Sequence, residues 1–279
     1  MKKIKYLLIP LILILTGCFN NKSMEDITIY TTNYPIEYVT SQLYKDHSTI
    51  KTIYPNGVDL NNYRLTKTLI NKYDDNDMYI FNSLTNEKDY VKQMIKNNSK
   101  LMIIDVTSDI KYDYSVEELW LDPSNLLNLA NNIKKGFIEY IKNNPVLIDE
   151  INSNYNELKM ALTDLESKYR EELSYKENKT IIVSNDMFMF LEKYGLKVIS
   201  LDKDNENYND NLMEARSLLY NGQINKLFIP DNEQLDNDIQ KLGFETVKLN
   251  TVSVLTEEQR ESSDYISLIE ENLEIIKNN

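Results

Sequence analysis

The segment Val146–Ser174 constrains the fold of this chain more than any other. Ile148, Ile151, Tyr155, Leu158, Leu162, Leu165, Tyr169 and Leu173 recur at spacings of three and four, and neither Pro nor Gly interrupts the run. This spacing predicts one amphipathic helix about 40 Å long, at a rise of about 1.5 Å per residue. The rival reading is a coiled-coil dimerisation helix, for which about four heptads are available.

Short β-branched or aromatic runs alternate with helical patterns on both sides of that segment. Before it, strands are predicted at Ile27–Thr31, Ile50–Tyr54, Met78–Phe81 and Leu101–Asp105, with helices near Ile36–Tyr44, Thr66–Lys72 and Lys88–Asn97. After it, strands are predicted at Thr180–Val183, Lys197–Leu201, Lys226–Ile229 and Thr246–Leu249, with helices at Met187–Tyr194, Asn211–Asn221 and Asn232–Leu242. Strand–helix alternation in two blocks reads as α/β: two lobes with mainly parallel sheets, joined by one long α-helix acting as a strut.

The N-terminus carries an export signal. Lys2, Lys3 and Lys5 precede an apolar run, Tyr6–Leu15, which ends in Leu15-Thr16-Gly17-Cys18. A basic start, a short apolar core and small residues before a cut site make a secretory signal, and the run is shorter than the roughly 20 residues a membrane span needs. The expected organisation is a signal peptide at 1–17 and a lipidated tether at 18–25. An N-terminal lobe at 26–145, a connecting helix at 146–175 and a C-terminal lobe at 176–279 follow. Losing the leader leaves 28 basic residues against 44 acidic ones, about −16 at neutral pH where the whole chain carries −13. An uncleaved anchor with a buried, unmodified Cys18 is the alternative.

Composition closes other routes. One histidine, His47, and one cysteine, Cys18, cannot assemble a histidine triad, a Cys₂His₂ zinc site or a Cys–His nucleophile pair. The six glycines never fall at phosphate-loop spacing, and no Ser/His/Asp arrangement is visible. The acidic balance excludes nucleic acid as a partner. His47 reads as a solvated loop residue and Trp120 as a packing residue. Asp122 reads as the cap of a helix that Pro123 begins. Asp202–Asn207 suggests a calcium loop but lacks the required Gly, with Asn207 at that position, and reads as a solvated charged loop. The 20 tyrosines are scattered and follow composition rather than a binding platform.

Several short motifs, in order, resemble a known family: the metal-type substrate-binding lipoproteins of ABC importers, which deliver zinc or manganese to a permease. Leu15-Thr16-Gly17-Cys18 resembles the bacterial lipobox, whose cysteine is acylated. Thr31-Thr32-Asn33-Tyr34-Pro35 resembles the family's opening strand and turn. Gly57-Val58-Asp59-Leu60-Asn61-Asn62-Tyr63 resembles its GxDPHxYEPT segment, and Glu118-Leu119-Trp120-Leu121-Asp122-Pro123 its HxWLDP segment. Val183-Ser184-Asn185-Asp186-Met187-Phe188 with Tyr194-Gly195-Leu196 is similar to its VSHDAF…YGL. Phe228-Ile229-Pro230-Asp231 stands where that family has a strand ending in Thr-Glu-Pro, and Asp264–Leu273 resembles its closing helix.

The resemblance implies a non-enzymatic protein on the outer face of the cell membrane, anchored to the bilayer through acylated Cys18. It implies a monomer that delivers a divalent cation to a membrane permease. The family's three histidines and one C-terminal-lobe carboxylate map onto Asn61, Glu118, Asn185 and either Asp231 or Asn250. Glu118 is then the leading metal ligand. Amide oxygens suit hard cations better than zinc, so this set does not make a tight zinc or manganese site. A scaffold that has lost solute binding and serves as a surface interaction or adhesin-like lipoprotein is the alternative.

Overall fold

The computed structural model describes residues 24–279 except Asp59 and Asn61. The leader, Cys18 and most of the tether therefore lie outside the described residues, as does the Asn61 position.

The N-terminal part runs β1 (Ile27–Thr31), α1 (Tyr34–Tyr44), β2 (Ser48–Thr52), α2 (Lys67–Tyr73), β3 (Met78–Phe81), α3 (Glu87–Asn97) and β4 (Met102–Asp105). Two helices close it, a single turn α4 (Glu118–Leu121) and α5 (Pro123–Tyr140), and α6 (Pro145–Ser174) then crosses to the second lobe. The C-terminal part runs β5 (Thr180–Val183), a 3₁₀ segment Asp186–Tyr194, β6 (Lys197–Ser200), α7 (Tyr208–Tyr220), β7 (Lys226–Pro230), α8 (Asn237–Gln240) and β8 (Glu245–Leu249), and ends on α9 (Glu257–Ser262) and α10 (Tyr265–Asn278).

Each lobe carries a four-stranded, wholly parallel sheet, in the orders β2-β1-β3-β4 and β6-β5-β7-β8. The central strands read as near-continuous apolar runs because helices cover both sheet faces; β3, Met-Tyr-Ile-Phe, is buried throughout. In both sheets the chain moves outward one way from the first strand, then returns to build the other side. Such reversals leave a crevice beyond the carboxyl ends of the strands, the usual ligand position in open α/β sheets.

The strut is a single helix of 30 residues, capped by the Asn144 side chain on the Leu147 N–H with Pro145 at its first position. Ile151, Leu158, Leu162, Leu165, Tyr169 and Leu173 bury its apolar stripe in one core cluster shared by both lobes. Asn154 lies on the same buried face and donates to the Leu43 carbonyl at 3.0 Å. Gly136 lets α5 lie close on β4, since a Cβ there would sit 2.7 Å from the Ile104 side chain.

Several elements differ from the sequence expectation; α7 begins at Tyr208 rather than Asn211 and α1 at Tyr34 rather than Ile36. β2 begins two residues earlier, because pairing with β1 sets Ile27 opposite Ser48 and releases Ile53 and Tyr54 beyond the strand end. The 186–194 segment is 3₁₀ rather than α, ending on Gly195 in the left-handed region at φ 83°. Of the helix expected at Asn232–Leu242 only Asn237–Gln240 forms, because Glu233 turns to accept from the Ser184 hydroxyl at 2.8 Å. His47 also departs from a solvated loop. It lies in a 3₁₀ turn before β2, with Nε2 3.0 Å from the Glu150 carboxylate of the strut.

Candidate functional site

The carboxyl ends of the two sheets face one another across a cleft of about 610 Å³. The N-terminal lobe contributes Tyr54 from beyond β2, Glu87 at the start of α3, and Val116, Glu117 and Trp120 around α4. The C-terminal lobe contributes Met187, Asp231 beyond β7, and Thr251, Ser253 and Val254 beyond β8. A larger groove of about 710 Å³ runs along the outer side of β4 and α5, but it belongs to one lobe and lies away from the crevice.

The cleft walls are fixed to one another. Trp120 donates its indole N–H to the Thr251 carbonyl at 3.2 Å, and the Tyr265 hydroxyl donates to the Trp120 carbonyl at 2.7 Å. The Tyr34 N–H reaches the Ser253 carbonyl at 2.9 Å. The Gly57 N–H reaches the Leu255 carbonyl at 3.1 Å from a left-handed turn, φ 68°, that favours glycine. At one edge Arg260 bridges back to Glu37 and Asn56, each at 2.7 Å. Behind the cleft Lys193 joins Asp122 and Glu166, the latter at 3.0 Å. Asp122 also accepts from the Ser124 N–H at 2.9 Å, the capping role its position before Pro123 implied.

The expected site residues scatter across these walls. Asp231 lines the cleft, its carboxylate accepting from the Thr251 N–H at 3.3 Å and hydroxyl at 3.2 Å. Glu118 is buried and turned away, accepting from the Asp113 N–H at 2.5 Å and the Tyr114 N–H at 3.1 Å. Burial raises its carboxyl above the usual range, against the pull of those amides. Its neighbour Glu117 faces the cleft instead.

Asn185 caps the 3₁₀ segment through the Met187 N–H at 3.0 Å and lines a small pocket of about 140 Å³ shared with Asp202 and Glu233. Asn250 folds onto its own loop, accepting from the Val252 N–H at 2.7 Å. Val252, β-branched and fully buried, is held there at φ 47°, a conformation costing on the order of 1–3 kcal/mol. Asn272 of α10 locks the loop from behind, accepting the Asn250 N–H and donating to its carbonyl, both at 2.8 Å.

Glu87, like Glu117, lines the cleft but is not singled out by the sequence. Its carboxyl is buried at the cleft wall, accepts from the Asn82 N–H at 2.8 Å and receives the Tyr54 hydroxyl at 3.4 Å. Burial pushes it up to about 8, against those hydrogen bonds, so at neutral pH it is mostly protonated. Nothing in Asn86-Glu87-Lys88 distinguishes it from an exposed helix-start acid; only the tertiary fold buries it. Among the described residues no three His, Cys, Asp or Glu side chains come together as a metal-holding group. The cleft thus offers oxygen donors from Glu87, Glu117 and Asp231 against an aromatic and apolar floor.

Comparison with known proteins agrees with this architecture. Residues 29–279 match the family described as ZnuA, zinc-uptake complex component A, periplasmic. The chain is 23% identical over 286 residues to the high-affinity zinc uptake system protein ZnuA of Bacillus subtilis (strain 168), covering 91% of this chain and 87% of that protein. The Zn(II)-bound ZnuA-like domain of Streptococcus pneumoniae AdcA superposes with a TM-score of 0.73 at 23% identity, over 91% of this chain and 98% of that one. The metal-dependent lipoprotein YcdH of Bacillus subtilis superposes with a TM-score of 0.72 at 21% identity, over 91% and 99% of the two chains.

Proposed function

Because the chain belongs to the periplasmic zinc-uptake component A family, we propose that its interlobe cleft is the solute site through which it serves an importer. It is a metal-type substrate-binding protein of an ABC importer and does no covalent chemistry. In this reading it is held on the outer face of the membrane by acyl groups on Cys18, and the loaded form docks on the permease. No helix among the described residues is long and apolar enough to cross a membrane. The Leu-Thr-Gly-Cys ending of the leader supports the lipid anchor.

One observation carries the site assignment: Asp231 and Glu117, from opposite lobes, both line the cleft at the carboxyl ends of the two parallel sheets. A cation between them is bound only when both lobes are in place, which gives a permease a shape that reports loading. By resemblance the family's ligand positions fall on Asn61, Glu118, Asn185 and either Asp231 or Asn250. In the described structure Glu118, Asn185 and Asn250 spend their side chains on the backbone around them.

Calorimetric titration of the purified protein with Zn²⁺, Mn²⁺ and Ca²⁺ tests the reading. Saturable binding of at least one cation, weakened about tenfold or more in Asp231→Asn, is expected. Absence of binding to all three by a folded protein, whether they are offered as salts or as complexes, contradicts it. Replacing Cys18 with Ser is expected to release the protein from the membrane fraction into the medium; retention in the membrane contradicts the lipid anchor.

A further inference from the structure

Taking the cleft as the solute site, we propose that it receives its cation as a complex with a small organic chelator rather than as a bare ion. The first observation is room. Protein-held metal sites close to about 2.0–2.2 Å around the ion, whereas cavities of about 300–1,000 Å³ suit organic ligands. The cleft, at about 610 Å³, falls in the second class.

The second observation is the donor supply of the whole chain. Zinc and its neighbours favour nitrogen and sulfur donors. The single histidine, His47, faces the Glu150 carboxylate of the strut and does not line the cleft, and the single cysteine stands at position 18, before the folded body. A zinc-like cation held here through nitrogen must therefore bring those donors with it.

The third observation is the lining. Val58, Leu60, Trp120, Met187 and Val254 present apolar surface, from which a hydrated ion gains nothing and a carbon frame gains through removal of its own apolar area from water. Glu117 and Asp231 outnumber Arg64, the one cationic side chain on the lining, so the cleft disfavours an anionic complex, such as one with a tricarboxylate, and accommodates a neutral or cationic one. The chemical class that fits is a chelate built on amine or imidazole nitrogens, of amino-acid size.

The test compares zinc chloride, histidine alone and zinc with two equivalents of histidine, each titrated into the purified protein. If the protein binds the bare ion, histidine competes and weakens apparent zinc affinity. If it binds the chelate, histidine strengthens it, by about tenfold or more. Weakening overturns the inference and leaves the importer reading standing. Saturable binding in no titration, with the fold intact, overturns the inference, and overturns the importer reading as well when Mn²⁺ and Ca²⁺ also fail to bind. In Val58→Trp, which narrows the cleft from the N-terminal lobe, chelate affinity is expected to fall about tenfold with an unchanged melting temperature. Undiminished chelate binding by that variant also overturns the inference.

Discussion

The indole N–H of Trp120 donates to the Thr251 backbone carbonyl at 3.2 Å, and this bond ties the two lobes at the cleft itself. Trp120 comes from α4 and Thr251 from the loop after β8, 131 residues on. The relation makes Trp120 both a packing residue and a cleft wall. Trp120→Phe keeps most of the ring but leaves a buried carbonyl without this donor, at a cost of about 1–3 kcal/mol. Urea unfolding of the variant is expected to show that loss together with weaker solute binding. A variant unchanged in both measurements contradicts the role.

Asn272 does for the C-terminal-lobe loop what Trp120 does between the lobes. Its side-chain amide satisfies both backbone groups of Asn250. Asn272→Leu leaves two backbone groups unpaired and frees the loop that holds Val252 at positive φ. A loss of about 2–4 kcal/mol is expected in denaturant unfolding. A loss below about 1 kcal/mol contradicts the account, because hydrogen bonds of this kind then contribute little here.

Glu87 gives the protein a pH dependence of known sign. Its folded-state value, about 8, lies above the roughly 4.3 of an unfolded glutamate. The folded state therefore binds more protons between those values. The group's stabilising contribution is complete below the unfolded value and is lost as pH rises through 8. Glu87→Gln keeps an acceptor for the Asn82 N–H and removes the titration. Between pH 6 and pH 9 the wild type is expected to lose about 2–3 kcal/mol more than the variant. Equal losses contradict the assignment. A cation bound beside Glu87 is further expected to release a proton at neutral pH, read as a dependence of binding heat on buffer ionisation.

Lys193 separates two acids. Asp122 and Glu166 both pair with it, and the Tyr194 hydroxyl donates to Glu166 at 2.6 Å. Lys193→Met leaves Asp122 buried without a cation, while Glu166 keeps Arg170 at 2.9 Å, and is expected to cost about 1–3 kcal/mol. Glu166→Gln in the same chain is expected to return part of the loss. Strict additivity of the two changes contradicts the coupling.

Much of this fold was legible in the sequence because its signals are local. The strut declared itself through Ile151, Leu158, Leu162, Leu165 and Tyr169, a period sustained over a longer run than in any other described helix, and β1, β3 and β5 through β-branched or aromatic runs. What escaped depends on distant partners. β2 slipped by two residues because its pairing with β1, not its own composition, sets where it begins. Asn232–Glu233 stayed out of a helix because Ser184 captures Glu233 across the sheet end. Glu117 and Glu118 are adjacent acids, of which only Glu118 belongs to the Glu118–Pro123 motif. Which of them faces the cleft is decided by the Asp113 and Tyr114 amides, whose positions follow from the loop before α4. Glu87 became a site residue only through burial that no local pattern announces.

The most direct measurement of the central claim is the metal content of the producing bacterium with and without this protein, by elemental mass spectrometry of cells grown under divalent-metal limitation. The account predicts a fall in one divalent metal on deletion, restored by the wild-type chain but not by Asp231→Asn. Unchanged content of every divalent metal, with the protein normally present in the membrane fraction of the parent strain, contradicts it and returns the scaffold to a surface-interaction role.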